Sequence, residues 1–222
     1  SDPGRFKCAP AAGPSGRHQF MEDIMEITAA MVKELREKTA AGMMDCKKAL
    51  QENGGDMEKS IDYLRKKGLS AAAKKSSRAT NEGIIASYIH SNHKVGVMME
   101  VNCETDFVAR NEKFAEMVHN LCLQVAAASP KWVRREDVPA AVLDKEREIY
   151  RDQMKESGKP AQVIDKIVEG KLEKFYKDNC LVDQEYIKEA GVIIKDYVAG
   201  VIATIGENLQ IRRFVRFQVG EE

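Results

Sequence analysis

Hydrophobic and polar residues alternate along this chain in two periods, and the places where one period gives way to the other mark its elements. Around residue 95 the odd positions are Val95, Val97, Met99 and Val101 while the even ones are Lys94, Gly96, Met98 and Glu100, the period-2 pattern of a half-buried strand. The run from Ile84 to His90 joins it through Ser91-Asn92, a short polar connection that predicts a β-hairpin. Near the carboxyl end, Leu209, Ile211, Val215, Phe217 and Val219 alternate with Gln210, Arg212, Arg216 and Gln218. This third strand is expected to complete the sheet, since a lone hairpin is unstable.

Between and around the strands the period is helical. Met31, Val32 and Leu35 follow Thr28, an N-cap candidate, up to Lys38, and Thr39-Ala40-Ala41-Gly42 breaks the pattern. Met43, Met44, Cys46, Lys47, Ala49 and Leu50 make a second helix that stops at Asn53-Gly54-Gly55, where glycine can adopt left-handed geometry. Asp56 caps a third, with Ile61, Leu64 and the methylenes of Arg65 on one stripe and Gly68 as its end. Residues 69–82 are small and basic without an apolar stripe, which predicts a linker. After the hairpin, Phe114, Met117, Leu121 and Val125 line one face of a helix that Ser129-Pro130 ends. Trp132 beside Arg134 and Arg135 reads as an apolar anchor under a basic loop. A charged helix over 139–156, with Val142, Ile149 and Met154 inward, is divided by Gly158-Lys159-Pro160 from another over 161–177 carrying Ile164, Ile167, Val168, Leu172 and Phe175. The two are expected to pair as a helical hairpin. A last helix over 192–204 leads through Gly206-Glu207-Asn208 into the final strand.

The fold class is therefore α+β. A three-helix N-terminal domain over 21–68 and a linker over 69–82 precede a core over 83–222, in which a three-stranded antiparallel sheet packs with helices and a protruding helical hairpin. Residues 1–20 carry Gly, Pro and Ala without hydrophobic periodicity and read as a disordered leader before a natural start at Met21.

Composition narrows the function classes. Lys+Arg and Asp+Glu are both 35, so a broad electrostatic nucleic-acid binder is disfavoured, although Lys74, Lys75, Arg78, Arg134, Arg135, Arg212, Arg213 and Arg216 leave a local basic patch open. Charged residues at 32% suit long solvated helical faces. No apolar run approaches the roughly 20 residues of a membrane span, so no membrane partner is expected. The 5 cysteines, Cys8, Cys46, Cys103, Cys122 and Cys180, lack CxxC spacing and read as reduced thiols of a cytoplasmic protein. No G-x-S-x-G turn, HExxH helix or G-x-G-x-x-G loop occurs, and the nearest approach to a phosphate loop, Gly158-Lys159-Pro160, has Gln153 in place of its first glycine and proline in place of its hydroxyl. No cofactor and no metal are expected, His90 and His93 having no obvious partners. Cys103, between strand neighbours, reads as an inert buried thiol.

What remains is a chain that works through surfaces, and one stretch stands out: Val101-Asn-Cys-Glu-Thr-Asp-Phe-Val-Ala-Arg110. Thr105 and Asp106 stand where a helix N-cap belongs, with Phe107 and Val108 in the first turn. Two readings are open there: a capped helix whose phenylalanine tucks into its own core, or an acid and aromatic pair presented to another molecule. Met43 and Met44, adjacent on one helix and so about 100° apart, pose the same choice between core filling and an adaptable contact.

Two segments carry a resemblance. Val32-Lys-Glu-Leu-Arg-Glu-Lys-Thr-Ala-Ala-Gly-Met-Met-Asp-Cys-Lys-Lys-Ala-Leu50 and Val101-Asn-Cys-Glu-Thr-Asp-Phe-Val-Ala109 resemble the signature stretches of the elongation factor Ts family. Ser157-Gly-Lys-Pro160, Val168-Glu-Gly-Lys171 and the ending Ile205-Gly-Glu-Asn-Leu-Gln-Ile-Arg-Arg-Phe-Val-Arg-Phe217 extend the likeness over essentially everything after Met21. The resemblance implies a guanine-nucleotide exchange factor for elongation factor Tu, itself not an enzyme. It further implies a ubiquitin-associated-like first domain whose Lys33, Arg36, Met43 and Met44 meet the GTPase, and a corner of Thr105, Asp106, Phe107 and Val108 that enters near the partner's magnesium site. Ala40 stands where the family more often has glycine. With one copy of a core subdomain that long members duplicate, the chain is similar to the short form, in which two chains together supply what the long form holds in one; a homodimer is the expectation. Competing readings are a non-catalytic helical interaction module and an RNA-associated translation factor, though no direct nucleic-acid contact is required by the resemblance.

Overall fold

Two of the three helices of the first module, the first and the third, start on a polar side chain that the sequence places ahead of them, and the second starts at Gly42. The computed structural model describes residues 27–39, 41–155 and 160–221; the leader over 1–20, Met21, Ala40 and Ser157-Gly158-Lys159 lie outside the described residues. Helix α1 spans Ala29–Thr39 and is entered through Thr28, whose hydroxyl accepts from the Met31 N–H at 3.3 Å. Helix α2, Met43–Glu52, ends at Asn53 and the left-handed Gly54 and Gly55, with φ of 61° and 81°. Helix α3, Met57–Lys75, begins at Asp56, whose carboxylate accepts from the Lys59 N–H at 3.0 Å. Val32, Leu35, Cys46, Ala49, Leu50 and Leu64 close a small hydrophobic cluster between the three.

Gly68 does not end α3, contrary to the sequence reading, and the expected linker is helical as far as Lys75. Leu69-Ser-Ala-Ala-Ala73 is rich in a strong helix former. It lacks an apolar stripe because it packs on small residues of helix α8, Ile194–Ile205: a Cβ at Gly68 would sit 3.6 Å from the Ala199 carbonyl oxygen and 3.9 Å from the Ala203 methyl. Beside that close approach Arg65 forms an ion pair with the largely buried carboxylate of Asp196. The first module is thus continuous with the core through one helix.

The core is α+β. Strands β1 (Glu82–Ile89), β2 (Val95–Cys103) and β3 (Gln210–Gln218) form a three-stranded antiparallel sheet in the order β1-β2-β3. Helix α5 (Glu112–Ala128) covers one face of it and α8 packs against α5, so that Val97, Met99, Val101, Phe114, Met117, Leu121, Val125, Ile194 and Ile202 are buried in the larger cluster. The hairpin connection is longer than Ser91-Asn92, with His93 left-handed at φ 56° and the Asn92 side chain accepting from the Lys94 N–H at 3.0 Å.

The third strand corrects the sequence reading further. Glu100 pairs with Arg213 but Val101 with Ile211, so Arg212 is a β-bulge and the alternation reverses beyond it. Phe214 packs against the core, the Arg216 side chain is only 12% exposed, and Val215, Phe217 and Val219, expected inward, lie outside. The buried guanidinium is balanced by Glu221 at 2.8 Å.

Helices α6 (Ala140–Lys155) and α7 (Ala161–Asn179) pack against each other as the expected hairpin, tied by Arg151 to Asp165 at 3.3 Å and by the Lys171 ammonium over the Tyr150 ring. Val168 and Leu172 are buried, whereas Ile149, expected inward, is exposed. At its base Trp132 packs on Phe175, and Arg135 bridges Asp183 at 3.0 Å and Glu173 at 2.9 Å; the hydrogen bond to Asp183, and then that to Glu173, raise its pKa. No helix among the described residues is long and apolar enough to cross a membrane.

Candidate functional site: the acid and aromatic corner

Strand β2 runs out at Cys103, and within three residues the chain turns into a one-turn helix, α4 (Asp106–Ala109). Thr105 makes that turn possible. Its extended backbone, φ −129° and ψ 155°, places the hydroxyl to accept from the Val108 N–H at 3.4 Å, the N-cap read from the sequence. Asn111 then caps α5 by accepting from the Lys113 N–H at 2.9 Å. With only four residues, α4 can bury one side alone: Val108 enters the core and Ala109 packs against it. Phe107 points the other way and is 79% exposed. The self-burying reading of the aromatic is thereby set aside. Asp106 is exposed as well, its carboxylate accepting from the Arg110 guanidinium at 3.0 Å across one turn.

Beneath the corner lies the buried thiol of Cys103, which donates to the Thr105 carbonyl oxygen at 3.1 Å. Burial, and then the carboxylate of Glu207, push its pKa up, so it stays protonated near neutral pH and is no nucleophile. At its surface the corner offers an apolar ring flanked by the Asp106 carboxylate.

The small module presents a second surface. Lys33 and Arg36 lie exposed on α1, opposite Val32 and Leu35; Met43 and Met44 open α2, and Met44 is 76% exposed while Cys46, Ala49 and Leu50 face inward. Neither methionine fills the core. Thr105, Asp106, Phe107 and Val108 share one turn, whereas Lys33, Arg36, Met43 and Met44 stand on the separate module.

Comparison with known proteins settles the ancestry of this arrangement: the family model described as Elongation factor TS matches residues 18–221. The chain belongs to the elongation factor Ts family. Its members act in translation elongation. Over 197 residues it is 61% identical to the elongation factor Ts of Fervidobacterium nodosum, covering 89% of this chain and 100% of that one. To that of Thermoanaerobacter sp. it is 60% identical over 195 residues, 88% of this chain and 96% of the relative. To that of Geobacter metallireducens it is 56% identical over 197 residues, 89% and 91% of the two chains.

Within this member of the family, sequence reasoning overlooked the residues that hold the corner from behind. Glu104, Glu207, Asn208 and Arg78 form a hydrogen-bonded group there, although Gly206-Glu207-Asn208 reads along the chain only as a polar connection. The available signal was an acid immediately after a helix-ending glycine, and it does not say which distant backbone that acid will meet.

Proposed function

We propose that this chain is a guanine-nucleotide exchange factor that binds elongation factor Tu and speeds GDP release by disturbing the magnesium site of that GTPase. The chain carries out no bond chemistry of its own. The observation that supports this most is the 79% exposure of Phe107 on a turn whose neighbouring Val108 is sunk in the core. An exposed ring held on a turn that Thr105 caps and Val108 anchors costs little entropy to insert elsewhere.

In this reading Asp106 and Phe107 enter beside the metal, with Thr105 shaping their turn and Val108 anchoring it. Magnesium bridges the GTPase's own side chains and the nucleotide phosphates, so displacing its ligands loosens the nucleotide. Burying one phenylalanine contributes roughly 1.5–3 kcal/mol. Shifting a population from 1:99 to 99:1 needs about 5.5 kcal/mol of differential affinity. The ring alone is insufficient. Lys33, Arg36, Met43 and Met44 on the small module, together with the core, supply the remainder. Linkage then requires that the factor bind the empty GTPase more tightly than the loaded one, and that nucleotide expel it in turn.

The oligomeric reading is a homodimer through the uncovered face of the sheet. Ile85, Ile89, Met98, Val215 and Phe217 are exposed there, in cross-strand rows that place Met98 beside Val215 and Gly96 beside Phe217, with the Glu100–Arg213 ion pair at one end. A contiguous apolar face of this kind calls for a cover, and a second copy packed sheet on sheet about a two-fold axis supplies a matching one.

The test is release of fluorescent GDP from purified elongation factor Tu, followed by stopped flow with increasing amounts of the full chain. Acceleration that saturates with concentration is the expected outcome; release at the spontaneous rate at every concentration overturns the proposal.

A further inference from the structure

The corner that carries Phe107 is gripped by a residue about a hundred positions away in sequence. After α8 the left-handed Gly206, φ 92°, turns the chain so that Glu207 faces the end of β2. One carboxylate oxygen accepts from the backbone N–H groups of Glu104 and Thr105, both at 3.1 Å, and the other accepts from the Thr105 hydroxyl at 2.7 Å. Hydrogen bonds to an ionised acceptor are stronger than neutral ones. The same Thr105 hydroxyl uses a lone pair to cap Val108, so the carboxylate and the helix start share one oxygen.

The grip is mutual. Glu104 accepts from the Asn208 N–H at 2.6 Å and pairs with Arg78 at 3.4 Å. The Asn208 amide donates in turn to the carbonyl oxygens of Ser76, at 3.4 Å, and Arg78, at 2.8 Å. Ser76 is the C-cap of α3. The turn bearing Phe107, the loop after α8 and the chain leaving α3 therefore meet in one polar clasp.

We infer that Glu207 is a positioning residue for exchange: its three hydrogen bonds set the direction in which Phe107 leaves the frame, and the clasp ties that direction to the helical module on α3. This rests on the exchange reading above. Docking through two surfaces at once demands a fixed geometry between them, and a turn of four residues cannot supply it alone. Glu207 acts through Thr105 and Glu104, the residues its carboxylate holds.

The experiment compares full chains carrying Glu207→Ala, Glu207→Gln or Phe107→Ala with the unaltered chain in the GDP-release assay, titrated to saturation, and reads hydrogen exchange at the amides of residues 104 and 105. Glu207→Ala is expected to lower the maximal rate by at least roughly fivefold, a typical coupling magnitude, with little change in the half-saturating concentration. Exchange at both amides should quicken. Glu207→Gln should recover most of the rate, because its amide oxygen still accepts from both N–H groups. Should the alanine variant fail to fold, Glu207→Asp, whose shorter arm cannot span all three donors, is expected to show the same loss. A maximal rate equal to that of the unaltered chain, or unchanged exchange at residues 104 and 105, overturns the inference. If the unaltered chain itself fails to speed GDP release, the exchange reading falls, while the amide measurement still decides whether Glu207 holds the turn.

Discussion

At the end of β2, adjacent side chains are sent in opposite directions, Val108 into the core and Phe107 into solvent. Because the ring makes no core contact, Phe107→Ala should leave stability within about 0.5 kcal/mol in urea titrations, while the maximal rate of GDP release falls sharply. Thr105→Val should cost about 1 kcal/mol through the lost cap and should slow release too, since the same hydroxyl donates to Glu207. Thr105→Ser should restore both. The cap was legible because Thr and Asp at a strand-to-helix corner have few other uses. The direction of Phe107 was not, since it depends on which of two neighbours the core selects. Asp56 makes a separate prediction about acid. The Lys59 N–H, and then the Lys59 side chain, hold its carboxyl below the ordinary value of 3.8. Its contribution is therefore present above that value and is lost as pH falls through the lower, folded one. Asp56→Asn keeps the cap and should flatten the fall of urea midpoints in that acid window.

Helix α3 shows how an element can outrun its own pattern. Its first half obeys an apolar stripe that ends at Leu64, and its second half packs through Gly68 and alanines onto α8, where closeness of approach replaces side-chain bulk. A pattern built on large apolar residues cannot register such a contact. Gly68→Ala should stabilise the chain by about 0.5–1 kcal/mol, because a helix-interior glycine is replaced and the added methyl meets only ordinary contacts at 3.6 Å. Gly68→Leu should do the reverse, prising α3 from α8; chemical denaturation of the two variants checks the sign. The third strand hid its geometry for a different reason. Its existence and pairing followed from alternation, but one unpaired residue, Arg212, inverts everything after it.

On the scale of the molecule, α3, the sheet and the loop after α8 make a single frame with exposed side chains on the helical module and at the Phe107 corner, and with a sheet face left uncovered by the described residues. Sequence resemblance led to the family, and the match over residues 18–221 shows it. The frame itself was illegible, because ties such as Arg65 to Asp196 and Glu207 to Thr105 join segments too distant for any local pattern. The sheet face carries the last prediction. Phe217 is 73% exposed and supports no core residue, so Phe217→Arg should leave secondary structure intact while sedimentation shifts from dimer to monomer. A wild-type chain that sediments as a monomer at every concentration ends the homodimer reading.

The bulge also governs what inheritance can do to this strand. Within β3, the position at which a residue can be lost without turning the strand over is Arg212 itself. A residue gained or lost anywhere between Phe214 and Gln218 would roll the remainder over, bringing the greasy outer row inside and pushing Arg216 out to water. A change in the length of β3 is therefore absorbed at that one address, and composition on either side of it must be read in two frames.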